Sequence, residues 1–194
     1  MDKLVALIKE KMTVDGFVGN TFPALTNWGV TDQDVMIHSL GVSCWNCLGY
    51  NLDLMAVVEC PSPFSGIAGD DIRSDSVWFD KKTKQPVAVI EFERYDGSEN
   101  GQKKLLEKAE NLLESNKRWG GAPQILILSA WSIGMVKAPD YHFFSGIIRN
   151  GFKNRKGSRV KGNTEVKFLF SRFCFQPMTG KKLYLDQIFF EGSV

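Results

Sequence analysis

Two histidines, four cysteines and no long apolar run set the first limits on this chain of 194 residues. His38 and His142 form no HExxH pair, and no GxSxG elbow occurs, so neither a zinc hydrolase nor a Ser/His hydrolase is supported. The cysteines contain one Cys-x-x-Cys, Cys44-Trp-Asn-Cys47, but Cys60 and Cys174 do not supply the second pair that a zinc ribbon or finger needs. Cys44 and Cys47 fall on an apolar helix stripe and are expected as buried free thiols. No apolar stretch approaches the ~18 residues of a membrane span. The first eleven residues read as a short amphipathic helix, without the apolar core or cleavage site of a secretory signal. The expectation is a soluble, cytoplasmic protein with reduced cysteines.

What is present is an ordinary globular composition, 43% hydrophobic and 24% charged, in a chain long enough for one domain and too short for two full ones. The formal net charge of +2 hides a segregation. Arg149, Lys153, Arg155, Lys156, Arg159 and Lys161 follow one another with no acidic residue between them, whereas residues 70–80 are locally acidic. A basic segment beside an acidic cluster suits a polyanionic partner that needs a metal ion.

The pattern along the chain predicts helix, three strands, helix, strand. Thr31-Asp-Gln-Asp34 resembles a capping box, and Met36, Leu40, Cys44, Cys47 and Leu48 follow at the spacing of one buried face. Residues 52–60 read as a strand stopped by Pro61, and the Pro/Gly/Ser stretch after it as a loop. Residues 74–80 and 86–94 both alternate. The short polar link between them predicts an antiparallel hairpin. Leu105, Leu106, Ala109, Leu112 and Leu113 mark the clearest helix, ended by Gly120-Gly121; residues 125–128 then form an all-apolar strand buried on both sides. Residues 166–175 and 182–190 read as two further strands, a C-terminal β extension on a core spanning about 32–130 of a single 1–194 domain.

Centring the hairpin turn on Thr83 pairs Phe79 with Val87, Val77 with Val89 and Asp75 with Glu91. Strand parity then puts Asp75, Glu91 and Glu93 on one face under any even slip of register. That face continues through Val77, Phe79, Val87 and Val89, the expected core side. Like charges facing each other destabilise a sheet, and carboxylates are rarely buried unless paired or bound to metal. A hard divalent cation with oxygen ligands would relieve the crowding.

On Asp75 early in one strand and Val89-Ile-Glu91-Phe-Glu93 late in the next, followed by a helix from about Gln102 and the apolar strand at 125–128, the chain resembles the PD-(D/E)XK, or restriction-endonuclease-like, nuclease superfamily. The resemblance covers roughly residues 32–130. It implies an α/β fold, a mixed sheet flanked by helices, and a Mg²⁺-dependent (or Mn²⁺-dependent) nuclease acting on DNA rather than RNA. Asp75 and Glu91 would be metal ligands, and Glu93 would bind metal or orient the attacking water. Two positions depart from the family pattern: Ser74 precedes the aspartate in place of proline, and Glu93 stands where lysine is usual. Lys103 or Lys104 is a candidate for the missing cation, Gln102 for a contact to substrate or metal-bound water, and Glu59 for a peripheral member of the acidic cluster.

The basic segment, with Lys153, Arg155, Lys156, Arg159 and Lys161 among glycines, reads as a flexible loop able to track a phosphate backbone. The loop at residues 97–103 lacks the Gly-Lys-Ser/Thr of a nucleotide-binding P-loop. The leading alternative to an endonuclease is a catalytically inactive nuclease-fold protein that binds nucleic acid or assembles with partners. Cutting both strands of a duplex would suit a homodimer.

Overall fold

Alternation over residues 73–94 builds the central hairpin. Strand β3 (Arg73–Asp80) pairs antiparallel with β4 (Pro86–Arg94), with Val77 opposite Val89 and Ser76 opposite Ile90. The expected register holds there. It fails next to the turn, where a bulge sets Phe79 against Pro86 and not against Val87. The computed structural model describes residues 2–31, 34–64, 66, 71–154, 157–178 and 182–192.

Strand β2 (Leu54–Pro61) adds antiparallel to β3 as one edge of the sheet. On the other side of β4 lies β5 (Ile125–Ile133), parallel to it and buried along nearly its whole length. The C-terminal pair, β8 (Lys167–Met178) and β9 (Lys182–Glu191), does not hang off this core as an extension. β8 runs parallel to β5 over nine residue pairs, β9 returns antiparallel to β8, and the two-residue β1 (Val30–Thr31) closes the edge. The result is a mixed seven-stranded sheet in the order β1-β9-β8-β5-β4-β3-β2.

Helices cover both faces. On one side pack α1 (Asp2–Lys11), the π-helical turns Val14–Val18 and Ala24–Trp28 around the single α-turn α2 (Gly19–Thr21), and α3 (Asp34–Asn51). Their core contains Trp45, Trp78, Ile90, Phe92, Ile127 and Phe173. On the other side pack α4 (Glu99–Arg118) and α5 (Tyr141–Asn150), over Val77, Val89, Leu126, Leu128, Phe168 and Phe170. Helix α4 is capped by Ser98, whose Oγ accepts from Gly101 N at 3.0 Å, and it buries the predicted Leu105, Ala109, Leu112 and Leu113. Among the described residues no helix is long and apolar enough to cross a membrane.

Helix α3 is rotated relative to the stripe expected from its sequence. Met36 is exposed and Cys47 is an exposed thiol, while Ile37, Trp45 and Leu48 are buried with Cys44. The 36/40/44 spacing runs ahead by about 40° per step around a 3.6-residue helix, and the larger aromatic Trp45 decides which side faces the sheet. Gly41 allows the close approach, since a Cβ there would overlap the Phe92 ring. Asp32 and Gln33 of the expected capping box lie outside the described residues. The basic segment is not a loop throughout: α5 runs directly into a two-stranded ribbon, β6 (Gly151–Lys153) and β7 (Arg159–Lys161).

Candidate functional site: two carboxylates and a lysine where a hairpin opens

The β3–β4 ladder ends at Ser76↔Ile90. Beyond it a side chain takes over from the backbone: Phe92 N donates to Asp75 Oδ2 at 2.7 Å. A carboxylate accepting from a main-chain N–H inside the sheet fills the space where the strands part. Asp75 is 6% exposed and Glu91 is fully buried, on the α4 side of the sheet.

Lys108 reaches down from α4 onto this pair. Its Nζ lies 2.6 Å from Glu91 Oε2 and 3.8 Å from Asp75 Oδ2. His38 comes from α3, on the opposite side of the sheet, and brings Nε2 within 3.8 Å of the same Asp75 oxygen. That separation is an electrostatic contact and too long for a hydrogen bond. The opening between β3 and β4 thus exposes one carboxylate to groups on both faces.

Burial dominates the charge state of Glu91. It pushes the carboxyl up to about 8, with Lys108 opposing and Asp75 and Glu59 adding to the rise. Burial acts in the same sense on Asp75, but His38, Lys108 and the Phe92 N–H outweigh it and hold that carboxyl below its usual value. Burial disfavours the Lys108 ammonium, yet Glu91 and Asp75 more than compensate and raise it above the ordinary lysine range. Asp75 raises His38 against the opposing effect of burial. At neutral pH the cluster is therefore close to neutral: an aspartate anion, an ammonium and a carboxyl that keeps its proton. Glu91 Oε1 is buried and has no hydrogen-bond partner among the described residues.

The remaining expected site residues lie further out. Glu93 is half-buried and turns Oε1 back to accept from Arg94 N at 2.9 Å, although its charge still favours protonated His38 and Lys108. Among the described residues no three His, Cys, Asp or Glu side chains are grouped so as to hold a metal ion. Glu59 is exposed, with φ of 48° on the edge strand. Gln102 is half-buried in the first turn of α4, and Lys103 and Lys104 point to solvent. The cation that meets the carboxylates is Lys108, one turn later than expected.

Lys153, Arg159 and Lys161 are exposed on the β6–β7 ribbon; Arg155 and Lys156 lie outside the described residues. Val160 anchors the ribbon in the α4-side core, and Asn163 Nδ2 donates to Asn116 Oδ1 at 3.0 Å. Along α4 the step from Lys108 to Asn116 is about 12 Å, so the ribbon stands off from the carboxylates.

Sequence reasoning missed Lys108 and His38. Lys108 carried a signal: it interrupts the apolar stripe Leu105, Ala109, Leu112 at an inward position. His38 carried none, because the stripe assigned to its helix was wrong. Compared with protein-family models, with curated proteins and with solved structures, the chain matches none.

Proposed function

We propose that this chain is a metal-dependent nuclease of the restriction-endonuclease-like kind, hydrolysing phosphodiester bonds in DNA, with Asp75, Glu91 and Lys108 at its centre. The observation that carries this reading is the buried Glu91 carboxyl, with an unpartnered Oε1, held beside Asp75 at the opened end of a hairpin. A hard divalent cation suits these donors. Mg²⁺ commonly takes only one or two carboxylates and completes its shell with water and substrate phosphate, so a pair of acids suffices. When bound there, the ion would supply Lewis-acid charge neutralisation and an acidified water.

The protein's own groups have defined tasks in this scheme. Asp75 is fixed by Phe92 N–H and stays ionised, a preformed anionic ligand. Glu91 would have to release its proton to solvent to hold the cation, which would couple uptake to pH. Lys108 is held charged beside both and stabilises negative charge developing on the phosphate oxygens. It takes the part that Glu93, by its position in the motif, leaves vacant.

The second reading, a binding or assembly protein without chemistry, rests on the same lysine: Lys108 by itself compensates the charge of the two carboxyl groups. Plasmid nicking separates the two. Wild type with Mg²⁺ or Mn²⁺ should nick DNA, EDTA should stop it, and Asp75→Asn should abolish both nicking and the rise in thermal midpoint caused by the metal. Nucleic-acid binding by a wild type that neither responds to metal nor cuts DNA or RNA would establish the second reading.

A further inference from the structure

Another cation enters the same face of the sheet from β8. The register across three parallel strands sets Glu93 of β4 beside Ala130 of β5, and Ala130 beside Arg172 of β8. Phe168 and Phe170 belong to the α4-side core with Leu126 and Leu128. Alternation therefore carries Arg172 to that side, one row beyond Glu91, Leu128 and Phe170. Only the methyl of Ala130 stands between Arg172 and Glu93 in the row.

This guanidinium is poorly satisfied. Arg172 is half-buried, and its Nε is buried without a hydrogen-bond partner among the described residues. Its charge bears on buried Tyr95, whose hydroxyl burial raises and Arg172 pulls back. An arginine does not escape burial by losing its proton, so this half-buried side chain keeps a fixed positive charge that an anion would compensate. The row lies towards the carboxyl ends of β4 and β5 and midway along β8, with the first two on the side where open α/β sheets bind ligands.

We propose that Arg172 is an anchor for a backbone phosphate of the nucleic-acid strand, next to the carboxylate–lysine centre and not part of it. The inference rests on the nuclease reading for its ligand, and supplies what that reading lacks: a built contact for the strand outside the bond-breaking groups. Two strand spacings separate Arg172 from Glu93, about 10 Å. A DNA strand rising ~3.4 Å per nucleotide covers that distance in about three steps. The exposed ribbon cations would then bind further along the same strand.

The test is fluorescence anisotropy with a labelled 20-nucleotide single strand and the matching duplex, in EDTA, across a salt series, on wild type, R172M, R172Q and R172K. R172M should weaken binding about tenfold and flatten the log–log salt slope by about 0.7 to 0.9, one phosphate contact. R172K should recover part of both, having the charge but not the fork. With Mg²⁺ present, R172M should raise KM and leave kcat unchanged. Wild-type affinity and slope in R172M overturns the proposal, as does cleavage with unaltered KM. Arg172-dependent binding by a wild type that never cuts leaves the anchor standing and removes the nuclease reading. Failure of wild type to bind either oligonucleotide removes both. Should R172M not fold, the polar variant R172Q decides: wild-type affinity and salt slope there overturn the proposal.

Discussion

Glu91→Gln tests the charge assignment on which the site depends. The ordinary carboxyl value of 4.5 becomes about 8 in the folded protein. Between those values the folded state keeps a proton that the unfolded chain has released, so stability falls as pH rises through the window. Below about 4.5 both states are protonated and the term vanishes; above about 8 the full cost applies, on the order of 5 kcal/mol at ~1.4 kcal/mol per unit. That is a large part of the ~5–15 kcal/mol that holds a typical domain. The neighbours do not reverse the sign. Asp75 is lowered, so its contribution is lost only in acid, below the window. Lys108 is raised, so its contribution lasts until the solution is more alkaline than ordinary lysine's 10.5. His38 is raised and also loses its contribution as pH rises, but equally in wild type and variant. Urea unfolding in EDTA at pH 5, 6.5 and 8.5 should therefore show wild type falling by several kcal/mol more than Glu91→Gln. Mg²⁺ at pH 8.5 should restore wild type and leave the variant unmoved. Parallel profiles would refute the reasoning. They would mean that Glu91 stays ionised against Lys108 throughout, and its replacement would then cost stability at every pH.

Lys108→Met should destabilise the protein by about 3 kcal/mol at pH 8, because the carboxylates lose the cation that compensates them. Thermal or urea unfolding checks this, and cleavage should disappear in the same variant. Neutralising Lys153, Arg155 and Lys156 together should weaken nucleic-acid binding and reduce its salt dependence, with turnover at saturating substrate little changed. Unaltered binding at low and moderate salt would show the ribbon to be solvated only.

The legible parts of the molecule were those whose pattern is local. Parity and a short link were enough for the β3–β4 register at Val77↔Val89, and with it the shared face of Asp75 and Glu91. The stripe on α4 is strongly periodic and was read correctly. What failed depended on distant partners. Helix α3 carries apolar residues on most of its circumference, so its facing was set by Trp45 against Trp78 and Phe173, contacts invisible in one segment. His38 was lost with that facing. The parallel pairing of β5 with β8, across residues 134–166 with α5 and the ribbon among them, has no local signature either. Arg172 became meaningful only once that pairing put it in a row with Glu93.

The balance between the two functional readings turns on a cost. A lysine and two carboxylates buried in a sheet contribute little net stability, and apolar residues of similar volume often do as well or better. Glu91 is worse than neutral in this accounting, since it is buried with an oxygen left unpartnered. A protein that only bound nucleic acid would need cations on its surface, and the ribbon already supplies those. It would have no use for an acid forced to keep its proton at neutral pH next to an aspartate that is kept ionised. Two carboxyl groups with opposed shifts, 0–6% exposed, beside a lysine held charged, are the arrangement expected where protonation state matters to chemistry. Structural ion-pair networks also shift titrations, and the Glu114–Arg118 pair likewise leaves a buried oxygen, Glu114 Oε2, without a partner among the described residues. What sets this cluster apart is the opposed shifts of Glu91 and Asp75 beside a lysine held charged, and that is why the catalytic reading is preferred.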